Sequence, residues 1–305
     1  MRWLIILLLF IKCLAHSHTQ PDLIKYSYVR PMMGTSFKIV LYSSSQNVAD
    51  QAAKAAFHKV EELNQIFSNY LENSEVSLLT QSAETASAEV SEELWKVIVK
   101  SEELKENSEG VFDISIGRLT KLWRRSIRRQ EMPDHQLIKD LISRDSTSIT
   151  LNKDKKLVRL SEDVLLDFGG IAKGFAVDEA YGVLLKHGIS VALIDGGGDI
   201  YAGQAPPGKS GWKLKVEGAD ETIIIEYEAV ASSGSTYQYI YHNDIKYSHI
   251  IDPRSGYGVT DPEPTAVIAL SCMMADAAAS ILSILQKEDE RSAFLMQYPD
   301  VMVLP

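Results

Sequence analysis

Apolar side chains recur every three or four residues in five stretches of the chain, the spacing that places them on one face of a helix. The clearest stretch is 49–67, where Asp50 near the start is the expected N-terminal cap. The others are 92–105, His135–Ile142, 173–187 and the strongly apolar 275–285. We predict a helix over each of them.

Other stretches alternate apolar and polar residues or are rich in β-branched and aromatic residues, which is typical of strands. They are 37–42, Leu157–Leu160, 190–194, 212–217, 222–226 and the tyrosine-rich 237–251, which turns at Asn243-Asp244. Because helices and strands are interspersed without strict βαβ alternation, the pattern predicts an α+β fold rather than a doubly wound sheet. The 305 residues suit a single mixed domain of two packed lobes.

The first residues have the pattern of an export signal. Met1-Arg2 is a positive start, and 3–11 is an unbroken apolar run that is too short to span a bilayer comfortably. Cleavage at the small-x-small segment that ends at Ser17 would release the chain, whereas lipid attachment to Cys13 would anchor it to a membrane. We predict a signal over 1–17, one domain over 18–305, and an exported, periplasmic location. The choice between cleavage and a lipid anchor stays open.

Charge excludes one class of partner. The formal net charge is −10 and the isoelectric point is about 5.3, whereas a duplex nucleic-acid binder needs Lys and Arg to neutralise phosphates. The local exception is a basic group formed by Arg124, Arg125, Arg128 and Arg129. We interpret it as a solvated helix face, with an anion or partner contact as the alternative.

Two glycine turns follow predicted strands. In 167–174 (DFGGIAKG) the turn precedes a helix, where main-chain N–H groups and the helix N-terminus favour an anion, and Lys173 adds a full charge. A tight turn without a ligand is the alternative. The second turn, Gly196-Gly197-Gly198, is interpreted as a sharp turn or bulge.

Two further segments carry reactive side chains. His249 ends the tyrosine-rich stretch and has the chemistry of a general base or a phosphate contact, while Asp252 is expected to fix the Asp-Pro turn. On a helix, Asp276 and Ser280 are four residues apart and share one face. A carboxylate in so apolar a helix needs a partner, and a hard cation such as Mg²⁺ would be one. The alternative is that Asp276 caps a helix that begins there.

These segments, in this order, resemble the ApbE family of FAD:protein FMN transferases. The resemblance begins at Met33-Gly34-Thr35 and ends at 275–277 (ADA), so it covers nearly the whole of 18–305. The segments between them are Ser68-Asn69-Tyr70, 110–117 (GVFDISIG), 167–178 (DFGGIAKGFAVD), 196–199 (GGGD), Ser232-Ser233-Gly234 and 249–256 (HIIDPRSG).

The resemblance implies that FAD lies in a cleft between the two lobes. Its implied protein contacts are Met33, Tyr70, Phe112, Asp113, Ile114, Lys173 and Ile251. The resemblance also implies a Mg²⁺ site formed by the Ala172 carbonyl, the Asp276 carboxylate and the Ser280 hydroxyl. Ser280 stands where the family usually has Thr.

The implied reaction transfers FMN from FAD to a Thr or Ser hydroxyl of an exported or membrane flavoprotein subunit, with release of AMP. His249 is the candidate base for that hydroxyl, and Asp276 is the second catalytic candidate because it would hold the metal. Two alternatives stay open. One is hydrolysis of FAD to FMN and AMP, and the other is a non-catalytic FAD-binding lipoprotein.

Overall fold

The computed structural model of the chain describes residues 22–82, 87–142, 149–217, 219, 221–234, 238–262 and 264–305. The predicted signal over 1–17, including Cys13, lies outside these residues. None of the described helices combines the length and the hydropathy that a membrane span needs.

The described residues form eight helices and fifteen strands. The helices are α1 (Gln46–Phe67), α2 (Glu75–Ser82), α3 (Glu92–Asn107), α4 (Gly117–Arg129), α5 (His135–Ile142), α6 (Ala172–Lys186), α7 (Cys272–Ile284) and α8 (Glu288–Gln297). The strands are β1 (Ile24–Met32), β2 (Thr35–Ser43), β3 (Ala88–Glu89), β4 (Ile149–Asn152), β5 (Leu157–Leu160), β6 (Ala192–Gly196), β7 (Ile200–Ala202), β8 (Trp212–Leu214), β9 (Ile223–Ile225), β10 (Glu228–Ser233), β11 (Tyr239–His242), β12 (Ile245–Ile251), β13 (Gly258–Thr260), β14 (Thr265–Ala269) and β15 (Met302–Val303).

Seven strands form the main sheet, in the order β1-β2-β6-β7-β10-β14-β15. Each neighbouring pair is antiparallel. The register places Ile39 of β2 opposite Tyr28 of β1 on one side and Ile194 of β6 on the other. The neighbours β2 and β6 therefore come from distant parts of the chain, whereas β1 and β2 are consecutive.

Side chains of β2 alternate between the two faces of the main sheet. Phe37, Ile39 and Leu41 belong to the core that α1, α6 and α7 form on one face. Val40 belongs to a second core on the other face, together with Trp212 of the β8–β9 hairpin. Because both faces are covered, apolar residues follow one another in the central strands without strict alternation.

Helices α6 and α7 pack in close contact on the helical face. A Cβ at Gly174 would lie 2.3 Å from the main-chain oxygen of Cys272, so only glycine fits this position of α6. The Asp178 carboxylate of α6 accepts hydrogen bonds from the main-chain N–H groups of Cys272 (2.7 Å) and Met273 (2.9 Å) at the start of α7. These contacts fix the two helices relative to each other, and both helices carry residues of the site.

A smaller lobe consists of α4, α5 and the three-stranded sheet β11-β12-β13. Its core contains Leu119 and Trp123 of α4, Ile138 of α5, and Ile251 of β12. The Trp123 Nε1–H donates a hydrogen bond to the main-chain oxygen of Gly256 at 2.8 Å. This bond connects α4 to the turn that follows β12.

The predicted α+β fold is confirmed, as are the five predicted helices and the predicted strands within the described residues. The expectation that Asp50 caps α1 is wrong. The helix begins at Gln46, and the Asp50 carboxylate instead accepts a hydrogen bond from the Tyr28 hydroxyl of β1 at 2.6 Å.

Candidate functional site

A cleft of about 370 Å³ lies between the smaller lobe and the helical layer. One wall comes from α4 and β12, and the other from the start of α6, from α7 and from the end of β10. Eight of the site residues predicted from the sequence line this cleft: Phe112, Asp113, Ile114, Lys173, His249, Ile251, Asp276 and Ser280.

Asp276 and Ser280 reach the cleft from successive turns of α7. The helix begins at Cys272, so Asp276 lies within it and does not cap it. The glycine turn before α6 approaches these residues closely, because a Cβ at Gly170 would lie 3.2 Å from Ser280 Oγ. The absence of a side chain at Gly170 therefore leaves space beside the Ser280 hydroxyl.

Asp276 is a buried carboxylate, only 6% exposed. Its Oδ2 accepts a hydrogen bond from the Gly174 N–H at 3.1 Å and lies 3.5 Å from Lys173 Nζ. Lys173 also forms an ion pair with Asp199. Burial alone would lower the pKa of Lys173, but the charges of Asp276 and Asp199 outweigh burial and the net pKa lies above its ordinary value. Lys173 is thus a permanent cation that contacts two carboxyl groups, although burial raises the pKa of one of them, Asp199, to about 7.

Three main-chain amides in the 169–174 turn already have acceptors within the protein. The Gly169 N–H donates to Asp167 Oδ1 at 2.8 Å, and the Ala172 N–H donates to the main-chain oxygen of Phe168 at 2.9 Å. The Gly174 N–H is bound to Asp276. These three amides are therefore already used within the protein, and phosphate recognition here would draw on side chains and a cation as well.

His249 faces the cleft from β12 of the smaller lobe. Its main-chain N–H donates to the main-chain oxygen of Gln238 at 3.0 Å, and its buried Nδ1 forms no hydrogen bond with the described residues. Burial lowers the pKa of His249 and the positive charge of Arg124 lowers it further, while a hydrogen-bonding contribution from the main chain of Gln238 to the imidazole opposes both effects. The imidazole is neutral at pH 7 and is able to accept a proton.

Asp252 fixes the turn after His249, as the sequence predicted. Its Oδ1 accepts a hydrogen bond from the Arg254 N–H at 2.9 Å, and its main-chain oxygen accepts one from the Gly256 N–H at 2.8 Å. The turn positions Ile251 and Pro253 in the cleft wall.

Asp113 is held in place by two neighbours. Lys105 Nζ of α3 lies 2.8 Å from Asp113 Oδ2, and the Ser115 N–H donates to Asp113 Oδ1 at 2.7 Å. On either side of Asp113 in the sequence, the buried Phe112 and Ile114 also line the cleft. This segment therefore supplies an apolar surface next to a fixed carboxylate.

Three predicted site residues, Met33, Tyr70 and Ala172, are not among the residues that line the cleft. Ala172 is buried at the start of α6. Met33 lies in the β1–β2 turn with a φ of 48°. Tyr70 is 74% exposed, and the Arg124 guanidinium lies 5.1 Å from the centre of its ring. Tyr70 therefore lies at the mouth of the cleft rather than within it.

The β1–β2 turn contacts the triple-glycine turn. A Cβ at Gly197 would lie 2.1 Å from Thr35 Oγ1, and Gly197 lines the cleft. The Asp195 Oδ1 accepts hydrogen bonds from the N–H groups of Gly197 (3.0 Å) and Gly198 (2.9 Å). The glycines are thus required by a close packing contact and a turn, and Met33 lies beside that contact.

The basic group on α4 is divided between two faces of the helix. Arg125, Arg128 and Arg129 are exposed, in agreement with the prediction. Arg124 instead lines the cleft, and its Nη2 lies 3.0 Å from Asp167 Oδ2. The prediction of a solvated face is therefore wrong for Arg124, because each residue of a helix is rotated by about 100° from the previous one.

Sequence reasoning also missed the role of Asp178, which caps α7. Its hydrogen-bond partner Cys272 lies 94 residues further along the chain, so no local pattern indicates the contact. The role of Asp195 has a local signal, because an Asp two residues before a glycine commonly accepts a main-chain N–H in a turn.

Oxygen atoms dominate the candidate ligands for a metal ion. The described residues contain no group of three or more His, Cys, Asp or Glu side chains that could hold a metal. A site in the cleft would therefore combine one carboxylate, Asp276, with the Ser280 hydroxyl and a main-chain oxygen. Such a donor set suits a hard cation like Mg²⁺ better than zinc or copper.

Known proteins share both sequence and fold with this chain. The model of the ApbE family matches residues 33–304. An FAD:protein FMN transferase from Chlamydia muridarum is 29% identical over 272 residues, which cover 85% of this chain and 84% of that protein. One from Treponema pallidum is 26% identical over 304 residues, which cover 92% of this chain and 84% of that protein.

Two solved structures have the same architecture. The ApbE protein from Thermotoga maritima is similar with a TM-score of 0.81 and 25% identity, over 92% of this chain and 93% of that one. The flavin transferase ApbE from Vibrio cholerae has a TM-score of 0.80 at 23% identity, over 92% of this chain and 93% of that one. Since the family model spans most of the chain, this protein belongs to the ApbE family.

Proposed function

We propose that this protein is an FAD:protein FMN transferase and that FAD binds in the cleft between its two lobes. One observation carries the proposal: the cleft brings Asp276, Ser280 and His249 together beside the apolar Phe112 and Ile114. Relatives named for this activity match most of the chain, which supports the same activity here.

Apolar and aromatic residues supply the surface for the flavin. Phe112 and Ile114 on one wall and Ile251 on the other line the cleft, and apolar walls with a few fixed polar groups are typical of cofactor sites. Tyr70 at the mouth of the cleft and Met33 at its edge would contact FAD, although neither residue lines the cleft. Asp113, fixed by Lys105 and Ser115, would orient a polar edge of the substrate.

The proposed Mg²⁺ ligands are the Asp276 carboxylate, the Ser280 hydroxyl and the Ala172 carbonyl. Gly174 and Lys173 both contact Asp276 Oδ2, which leaves Oδ1 for a metal. A bound Mg²⁺ would neutralise charge on the pyrophosphate of FAD.

His249 is the proposed base. The acceptor hydroxyl oxygen forms a bond to the FMN-side phosphorus of FAD, and the bond from that phosphorus to the AMP oxygen breaks. The hydroxyl proton passes to the neutral imidazole of His249, which faces the cleft. AMP is the second product.

We further propose that the acceptor is a Thr or Ser of an exported or membrane flavoprotein subunit. The export pattern over 1–17 supports a periplasmic site of action, with either a cleaved signal or a lipid on Cys13. Covalent attachment would prevent loss of the flavin from such an acceptor.

The activity is tested by incubating the purified chain from residue 18 with FAD, Mg²⁺ and a flavoprotein subunit from a membrane complex. In-gel flavin fluorescence on the denatured acceptor, with AMP release, is the expected result. AMP and free FMN without a labelled acceptor would identify a hydrolase. FAD that binds but stays intact would identify a non-catalytic flavin-binding protein.

A further inference from the structure

The cleft carries more negative than positive charge. The only permanent cations among the described lining residues are Lys173 and Arg124, against four carboxylates: Asp113, Asp167, Asp199 and Asp276. Lys173 is balanced by Asp199 and Asp276. A pyrophosphate would add further negative charge, so a second cation besides a metal is needed near its oxygens.

Arg124 lies where that cation is needed. Its Nη2 would be 3.6 Å from a Cβ at Gly169, while Ser280 Oγ would be 3.2 Å from a Cβ at Gly170. Gly169 therefore lies next to Arg124, and the following residue, Gly170, lies next to the proposed metal ligand Ser280. A group that spans this turn would have Arg124 at one end and Ser280 at the other.

Two contacts hold the Arg124 guanidinium in place. Asp167 Oδ2 lies 3.0 Å from Arg124 Nη2, and the other Asp167 oxygen accepts the Gly169 N–H at 2.8 Å. The guanidinium also lies over the ring of the exposed Tyr70. A guanidinium has five N–H donors, so these contacts leave donors for an anion.

We propose that Arg124 is a phosphate-binding residue of the cleft and that its guanidinium contacts the pyrophosphate of the dinucleotide substrate across the Gly169-Gly170 turn from Ser280. The inference rests on the proposed function, since it takes FAD as the ligand. It assigns to Arg124 a part of the phosphate recognition that the amides of Gly169, Ala172 and Gly174, which are bonded within the protein, do not supply.

Arg125 provides a matched control. It is the next residue of α4, carries the same side chain and is exposed. Its removal changes the net charge of the protein by the same amount without changing the cleft. Any difference in ligand affinity between Arg124→Gln and Arg125→Gln therefore comes from the position of the lost charge and not from the change in net charge.

The test compares ligands that carry phosphate with ligands that lack it, and the pair AMP and adenosine differs in phosphate alone. Affinities of FAD and riboflavin, and of AMP and adenosine, are measured by equilibrium titration with the wild type, Arg124→Gln, Arg124→Lys and Arg125→Gln. We expect Arg124→Gln to lower the affinities for FAD and AMP about 10- to 100-fold, which is the range for a lost hydrogen bond to a charged group. The affinities for riboflavin and adenosine should stay within about twofold of the wild type. Arg124→Lys should lose less affinity for FAD and AMP than Arg124→Gln, because it keeps the positive charge.

Three results would overturn the inference. They are unchanged FAD and AMP affinities in Arg124→Gln, equal losses for ligands with and without phosphate, and an equal effect of Arg125→Gln. The second result would mean that Arg124 only supports the Tyr70 ring. If Arg124→Gln fails to fold, Arg124→Lys is compared with Arg125→Lys, and a smaller loss confined to the ligands that carry phosphate is then expected. A wild type that binds no FAD would instead refute the proposed function, and the two failures are thus distinguishable.

Discussion

Substitution of Gly174 tests how closely α6 and α7 must pack to build the site. An alanine Cβ there would lie 2.3 Å from the main-chain oxygen of Cys272 and 2.9 Å from Asp276 Cβ. Both contacts are with rigid parts of α7, so the helices must move apart. The same movement lengthens the Gly174 N–H hydrogen bond to Asp276, now 3.1 Å.

The expected loss of stability combines three effects. Overpacking costs about 1–3 kcal/mol, and loss of a hydrogen bond to a charged group costs about 1.5–3 kcal/mol. The higher helix propensity of alanine offsets about 0.5–1 kcal/mol. Gly174→Ala should therefore lower the free energy of unfolding by about 2–5 kcal/mol.

Gly182 is the matched control on the same helix. A Cβ at Gly182 would meet no atom within 4 Å, so Gly182→Ala should raise the free energy of unfolding by about 0.5–1 kcal/mol. Urea unfolding followed by tryptophan fluorescence measures both variants. A Gly174→Ala protein as stable as the wild type, or equal shifts for the two variants, would refute the close packing of α6 against α7.

Three further predictions concern single side chains. His249→Gln should reduce kcat about 10²- to 10⁴-fold, the usual contribution of a general base. In the wild type, kcat/KM should be flat near pH 7 and fall only at a pH below the ordinary histidine value of about 6.5, because burial lowers the pKa of His249 and only the neutral form accepts a proton. The same acid limb in the residual activity of His249→Gln would contradict this role. Ser280→Ala should weaken Mg²⁺ activation of FAD turnover by at least about 10-fold, whereas Ser280→Thr should retain it, and equal values for both would exclude the hydroxyl as a ligand. Asp178→Ala should destabilise the fold by about 1–3 kcal/mol, since it leaves the N–H groups of Cys272 and Met273 without their acceptor, and an unchanged thermal midpoint would refute the cap.

The parts of the site that the sequence predicted depend on local periodicity. The apolar pattern of 275–285 predicted α7, and the four-residue spacing then placed Asp276 and Ser280 on one face. The helix and the orientation of both residues toward the cleft are confirmed. Their roles as metal ligands stay predictions.

Features that depend on distant contacts were not predictable. The order of the strands in the main sheet follows from pairs such as Phe37 with Gly196, for which the sequence has no local pattern. Among the described residues, strand β1 has a sheet neighbour on one side only, and it contains Pro31, which weakens its pattern. Asp178 likewise acts on a helix that is far away in the sequence.

In helix α4, many basic residues obscure the apolar spacing that would predict a helix. Its buried positions are Gly117, Leu119, Trp123 and Ser126, too few apolar residues to indicate the helix among so many basic ones. Without the position of each residue on the helix, Arg124 is indistinguishable from Arg125. The structure separates them, because one lines the cleft and the other is exposed.

Diffraction from crystals grown with FAD and Mn²⁺, with the anomalous signal of manganese recorded, would locate both ligands directly. We expect FAD between the α4–β12 wall and the α6–α7 wall, with its ring against Phe112 and an anomalous peak beside Asp276 and Ser280. FAD bound outside this cleft, or a metal bound away from Asp276, would contradict the proposed site.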